Sequence, residues 1–554
     1  MNAQERNRTN WWLWIGVALT VFKLWLTRSQ PVFAIGNASL DDRLVLELAQ
    51  SLVRGEWLGS YNEGTLAKGA GYSLFIALAF YLGVPLGLAQ QGLYALACAL
   101  FSRALKPVGN SFTQLLVYLT LLWNPMSYEA PTMGRIMRQH LVTPLGIMIF
   151  ASLVALYLRR TETFKNQWPW IIMGGFATGI FWITREESVW ILPSILLLLG
   201  AIGFQGWKTS RPKYIALCLI GLSCAMTPSL WVSLKNHQHY GWFGTVEFKA
   251  SEFKSAYGSL QRVKVGPELA QVPVSREARA AIYQVSPAFA SLKPWLEREE
   301  WTNEGPTPAD RQIKGGWFMW ALRESVAHSG QAPDARSALA FYQILANEVN
   351  AASDAGLLPA RPRSDSLIPP IRANDLSDIT RTSLWFADFV ASFTSFSAYP
   401  QLSVGDREEL KLFHDLTGDR ISSSIRAPEI ERPNQKIMQL HKMNLLQRIG
   451  TNLGSFFFAI CFVTHLIILT RIVQLFRSRS LSYPIVLAAA AWGGVAVFIL
   501  INALVHVLSF SVIAVSTFAP IYPLLIIFHI AVFWDAYSAW FSKTNQINRD
   551  QISA

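Results

Sequence analysis

Long apolar runs joined by short basic loops dominate this chain, and one broad polar stretch interrupts them. Seven runs precede that stretch, at about 11–27, 86–104, 112–128, 141–158, 170–184, 188–206 and 214–233. Three follow it, at about 452–475, 483–505 and 511–537. A hydrocarbon core takes about 20 helical residues to cross. The pattern therefore predicts an all-α polytopic membrane protein with about ten transmembrane helices. The polar stretch, 234–450, has helical periodicity in Gly316–His328 and Ala338–Asn350 and a Pro-, Arg- and Ser-rich loop at Leu357–Asp375. It reads as a mostly helical domain between an N-terminal membrane module, 1–233, and C-terminal membrane helices, 451–554.

The one ambiguous stretch is 71–105. As two spans it gives about 17 residues each with almost no turn, which is short for a bilayer. The other reading lays Tyr72–Leu82 along the interface and lets Pro85–Ala104 cross. Charge separates the two. With Tyr72–Leu82 at the interface, Arg103 and Lys106 share one side with Arg159, Arg160, Lys165, Lys208, Arg211, Lys213, Arg477, Arg479, Lys543 and Arg549. That side is cytoplasmic by the positive-inside bias. Both termini are then expected inside, and 28–85 and 234–450 outside. The expected location is a multi-pass protein of the inner or plasma membrane.

Composition refines this picture. The 554 residues are 51% hydrophobic, and only 15% are charged. A net charge of +12 would suit a nucleic-acid binder if it were clustered. Here it sits in short loops between apolar runs, so it encodes topology and no nucleic-acid partner is expected. The four cysteines all fall in hydrophobic segments and form no CxxC pair, so neither a disulfide framework nor a zinc site is indicated. Arg6 and Arg8 precede the first run without a clear cleavage site after it. That run reads as a retained helix, although a signal anchor has the same form.

The stretch Asn37–Lys68 is chemically the densest. Asp41 and Asp42 stand at the start of a short amphipathic helix, and Ser39 with Asp42 has capping-box spacing. Leu44, Val45, Leu48 and Leu52 fall on one face of that helix, and Arg43, Glu47, Gln50 and Arg54 on the other. Gly55 ends it. Trp57 and Tyr61, residues that favour a membrane–water boundary, follow, and Lys68 closes the stretch.

This arrangement resembles the first external loop of GT-C membrane glycosyltransferases, especially the protein O-mannosyltransferase and lipid A aminoarabinose transferase branch. In that family an acidic pair follows the first transmembrane helix, an amphipathic helix ends in Gly-Asp-Trp, and a Lys-Pro-Pro motif comes next. The matching residues here are Asp41-Asp42, Gly55-Glu56-Trp57 and Lys68-Gly69-Ala70. The prolines are absent and the helix is one residue shorter. The resemblance covers about the first third of the chain and the overall membrane layout. It implies an inverting hexosyl or pentosyl transferase that moves a sugar from a polyprenyl-phosphate carrier to an extracytoplasmic glycan, lipid or protein. It also implies a catalytic carboxylate, Asp41 in preference to Asp42.

Three external turns collect ionisable residues beside the hydrocarbon, where they are costly and mark function by default. They are Asp41–Lys68, Glu129–His140 and Thr184–Glu187. Arg135, Arg138 and Arg185 are candidates for bidentate phosphate binding, and Lys68 for binding as a point charge. Glu186, Glu187 and His140 complete the candidate set. Each has a plainer reading: helix caps for Asp41 and Asp42, a snorkelling anchor for Lys68, interfacial charges for Arg135 and Arg138. Arg185, Glu186 and Glu187 read equally as an ion-pair cluster, and His140 as a satisfied polar group. The tryptophans at 295, 301, 317 and 320 are expected in the core of the outer domain rather than stacked on sugar. No cofactor is required, although scattered acids leave a divalent cation open. Two other functions fit the layout, a transporter or flippase for a lipid-linked or anionic substrate and a scaffold whose outer domain binds partners. The first predicts an inverted repeat and broken helices at midplane, and no repeat is evident.

Overall fold

The structure, a computed structural model, describes every residue except 1–2, 186–187, 207–209, 304–309, 394–395, 423–432, 479–481, 513–514 and 554. The N-terminal module is built from α1 (Ala3–Thr27), α2 (Asp42–Val53), α3 (Gly71–Tyr81), α4 (Leu86–Ala104), α5 (Ser111–Leu122), the single turn α6 (Ala130–Met133), α7 (Gln139–Leu158), α8 (Phe164–Thr184), α9 (Leu192–Gly206) and α10 (Arg211–Tyr240). The outer part holds α11 (Ser251–Gln261), α12 (Arg276–Val285), the short α13 (Pro287–Ser291), α14 (Lys293–Leu296) and α15 (Glu299–Thr302), then α16 (Gly315–His328), α17 (Ala335–Asp354), α18 (Asp375–Ser392) and α19 (Arg407–Thr417). The chain ends in α20 (Pro433–Ser478), α21 (Tyr483–Leu508), the turn α22 (Val515–Phe518) and α23 (Tyr522–Ser553). Among the described residues no strand forms, only isolated bridges. The expected all-α class holds.

Five of the described helical stretches are long and apolar enough to cross a membrane: Gln139–Leu158, Arg211–Tyr240, Lys436–Gln474, Tyr483–Leu508 and Val515–Trp540. The pair α3 and α4 adds a sixth if taken as one span, but the two helices meet at 110°. Gly83, in the left-handed region at φ +65°, and Pro85 at the N-cap of α4 account for that bend. Tyr72–Leu82 is thus a helix of its own. Shorter apolar helices at Trp11–Thr27, Ser111–Leu122 and Ser188–Phe204 occupy other expected spans. The run expected at 112–128 is cut short at Leu122. Asn124 caps a tight turn at Pro125–Ser127, its side chain accepting from the Met126 N–H at 3.1 Å, and so redirects the backbone.

α7 is buried along its length and packs against α4, α8 and α9, so it is the axis of the module. A helix apolar on every face stays ordered because neighbours cover every face. A second core, separate from that of the membrane helices, is where α11, α12, α16 and α17 bury Phe253, Tyr257, Ile282, Phe318 and Tyr342. Trp301 is buried in it and Trp320 packs against it, whereas Trp317 is partly exposed. Between α17 and α20 the chain changes allegiance. Phe386 and Val390 of α18 and Phe413 of α19 join the core of the membrane helices instead. α20 then runs unbroken through residue 450 and carries the chain into the last membrane helices.

Candidate functional site

The site is held by a strap rather than by the first helix itself. After α1 the backbone extends through 32–36 and lies against two later segments. Val32 N–H donates to Arg420 at 2.7 Å, Val404 N–H to Ala34 at 2.9 Å, and Gly36 N–H to Val404 at 2.6 Å. Phe33 N–H donates to the Gly134 carbonyl at 3.0 Å, which brings the loop before α7 alongside. A segment without neighbours in its own sequence is thereby fixed at both edges, and it delivers Asp41 and Asp42 to the mouth of the module.

Asp41 is the N-cap residue of α2, yet its side chain makes no capping bond. The expected Ser39–Asp42 capping box is not formed, because the helix begins at Asp42 and that side chain turns inward. Leu44, Val45 and Leu48 are buried as the pattern required, and the outward Arg43 bridges Glu47 at 2.7 Å and Glu409 of α19 at 2.8 Å. Gly55, at φ +80°, stands just beyond the helix end. Trp57 and Tyr61, expected at a membrane–water boundary, both hydrogen-bond to other parts of the protein. Trp57 is buried and donates to Asn236 Oδ1 at 2.9 Å, and Tyr61 OH donates to both Glu247 oxygens at 3.0 and 3.1 Å.

The two acids have opposite surroundings. Asp42 is wholly buried and held bidentately by Arg135, with Nε to Oδ2 at 3.0 Å and Nη2 to Oδ1 at 2.6 Å. Burial leaves its carboxyl above the ordinary value although Arg135 pulls it down. Asp41 pairs with Lys68, whose side chain is 7% exposed, while 57% of the Asp41 side chain meets solvent. The protein packed around Asp41 opposes its charge, but Lys68, then Arg138 and Arg135, override this and hold the carboxyl below its ordinary value. Asp41, Asp42, Lys68, Arg135 and Arg138 thus form one electrostatic unit. A carboxylate that is ionised and open to solvent can take a proton and the cations beside it can meet an anion, although the same cations lower its basicity until an anion offsets them.

Lys68 owes its place to the outer core. Its ammonium lies 5.9 Å from the ring centre of Trp320 on α16. One turn further along α16, Arg323 is buried and reaches the Asn62 carbonyl at 3.2 Å, the Thr65 carbonyl, and Glu247 Oε2 at 2.6 Å. Glu247 N–H in turn donates to the Leu66 carbonyl at 2.9 Å. Leu66 sits at φ +63°, a conformation a branched residue adopts only when its surroundings impose it. On the other side, Gly69 is required by contact: a Cβ there would stand 2.2 Å from the Ile183 carbonyl oxygen at the end of α8. Sequence patterning does not reveal Trp320, Arg323 or Glu247, since they lie far from Lys68 along the chain and look like ordinary residues of a helical domain.

The remaining candidates are placed less centrally. Arg138 stands at the N-cap of α7 with its charge felt at Asp41. His140 is buried, its Nε2 3.1 Å from the Arg135 carbonyl, where it supports the loop that carries Arg135. Arg185 ends α8, with its guanidinium 5.8 Å from the Phe498 ring centre. Glu186 and Glu187 lie outside the described residues. Among the described residues no three His, Cys, Asp or Glu side chains come together as a metal site would need.

No family model and no curated protein matches the chain. Among solved structures it is similar to the crystal structure of ArnT from Cupriavidus metallidurans in the apo state, at 12% identity over 94% of this chain and 77% of that one, with a TM-score of 0.34. A superposition of that quality locates no residue of the site.

Proposed function

We propose that the protein is a membrane glycosyltransferase of GT-C type that moves one sugar from a polyprenyl-phosphate carrier to an acceptor outside the membrane. The observation that carries this reading is the Asp41–Lys68 pair, a solvent-open carboxylate against a buried cation on a loop anchored between a membrane module and an outer domain. In the reaction Asp41 takes the proton from an acceptor hydroxyl as its oxygen attacks the anomeric carbon. The bond from that carbon to the phosphate oxygen breaks, and its electron pair leaves with the phosphate. Lys68, with Arg135 or Arg138, offsets the charge on the departing phosphate. A single displacement from the opposite face inverts the anomeric centre. Asp42, locked on Arg135, holds that guanidinium in position and does not touch the acceptor.

The test is incorporation of radiolabelled sugar from a panel of polyprenyl-phosphate hexoses and pentoses into an envelope extract, using protein in lipid nanodiscs. Transfer by the wild type and its loss in Asp41→Asn supports the reading. No transfer from any donor, or transfer that survives Asp41→Asn and Asp42→Asn together, overturns it.

A further inference from the structure

A second site, away from Asp41, is outlined where α1 and α20 run side by side in opposite directions. Gln439 of α20 donates to the Ser29 carbonyl at 2.8 Å and ties the two ends together. Beside this bond lies an open cleft of about 460 Å³ lined by Arg28, Arg420, Lys442, Gln439 and Asp419. Three of those residues are cationic and one is anionic. Arg28 pairs with Asp419 while 45% of its side chain remains exposed, and Lys442 lies 3.9 Å from the ring centre of Trp25. Farther along the same two helices is an apolar groove of about 540 Å³ between α1, α5 and α20, lined by Leu19, Phe22, Trp123, Leu453, Phe456 and Phe457 among others.

The two features are in register. Leu19 is nine residues from Arg28, about 14 Å along α1, and Leu453 is eleven residues from Lys442, about 16 Å along α20. A basic cleft at the ends of two apolar helices, with a separate apolar groove farther along the same two helices, matches the spacing of a headgroup and a chain. Trp25 and Lys442 between them are the pairing that sits at a membrane–water boundary. We propose that this site binds an anionic membrane lipid, its phosphate at Arg28, Arg420 and Lys442 and its chain in the groove of α1, α5 and α20. The cleft also shares Arg28, Gln30, Pro31 and Asp419 with a second cleft whose far wall includes Arg135, so the lipid headgroup would lie one cleft away from the acidic pair. The proposal does not depend on the glycosyltransferase reading, because it concerns binding alone.

Purified full-length protein is titrated in native mass spectrometry with phosphatidylglycerol and with phosphatidylcholine of the same chains. The expected result is preferential retention of phosphatidylglycerol. Lys442→Gln, which leaves the Arg28–Asp419 pair intact, should weaken it about fivefold, the effect of one Lys near an anionic lipid surface. Leu453→Trp should weaken both lipids by filling the groove, with a thermal melt to verify folding. Lys68→Met should leave lipid retention unchanged. Equal retention of the two lipids, or full retention in Lys442→Gln, overturns the proposal. So does displacement by millimolar inorganic phosphate, which would make this a free-anion site, or loss in Lys68→Met, which would put the lipid at the acidic pair.

Discussion

Two ionic clusters lie on either side of the 60–68 loop, and they differ in one respect. At Arg323–Glu247 both partners are buried, 2% and 0% exposed, and backbone carbonyls and Tyr61 add further bonds. At Asp41–Lys68 the cation is buried but the carboxylate is open. The first cluster has its partners inside the protein and no face to offer, so its work is to hold Leu66 and the loop in place. The second has one face left for a substrate. The same chemistry becomes scaffold or candidate site according to which partner meets water, since a buried pair that loses one member leaves an uncompensated charge.

The sharpest way to break this contrast is Asp41→Asn. Loss of a general base costs about 10²–10⁴-fold in rate, whereas the cost to stability should be smaller than for Arg323→Met, because Asn still accepts a hydrogen bond from Lys68 and the Asp41 side chain is solvent-open. An active Asp41→Asn protein would return Asp41 to a structural role. The scaffold side is tested by Arg323→Met, expected to cost about 3–5 kcal/mol of stability by stranding Glu247. The double variant with Glu247→Gln should recover part of it. Thermal melts in detergent decide, and an unchanged midpoint in the single variant would mean that the cluster is no clamp. Lys68→Met is expected to act on function more than on fold. It should weaken donor binding by about 10- to 100-fold, the scale of one hydrogen bond to a charged group. Unchanged affinity in a polyprenyl-phosphate titration would leave Lys68 an anchor only.

The smallest effect is on pH. Asp41 is held below its ordinary value of 3.8 because Lys68, Arg138 and Arg135 outweigh the desolvation that pushes it up. A depressed carboxyl stabilises the fold above its unfolded value, and that contribution is lost as pH falls through the folded one. The acid limb of activity should therefore lie below the usual carboxylate range in the wild type and move upward in Lys68→Met. A limb at the same pH in both proteins would mean that Lys68 does not set the charge of Asp41.

Apolar periodicity specified the buried face of α2 and the helical class of the polar stretch, because burial of apolar side chains acts locally and leaves a period in the sequence; α4 at 86–104 and the break after Leu82 needed the distribution of basic loops as well. Asp41, Asp42, Lys68, Arg135 and Arg138 stood out because ionisable residues beside long apolar runs are rare, and the first three also because of the family resemblance. The end of α5 at Leu122 was harder to read, because an apolar run does not reveal where Asn124 and Pro125 will turn it. Which acid faces water was not legible either. Neighbouring residues at a helix start differ by about 100° in direction, and only the arrival of Arg135 from the loop before α7 turned Asp42 inward and left Asp41 open. The clamp of Trp320, Arg323 and Glu247 on the Lys68 loop was decided by tertiary structure alone. Its partners come from distant segments whose meeting follows from the packing of two cores, and no local pattern encodes such a meeting.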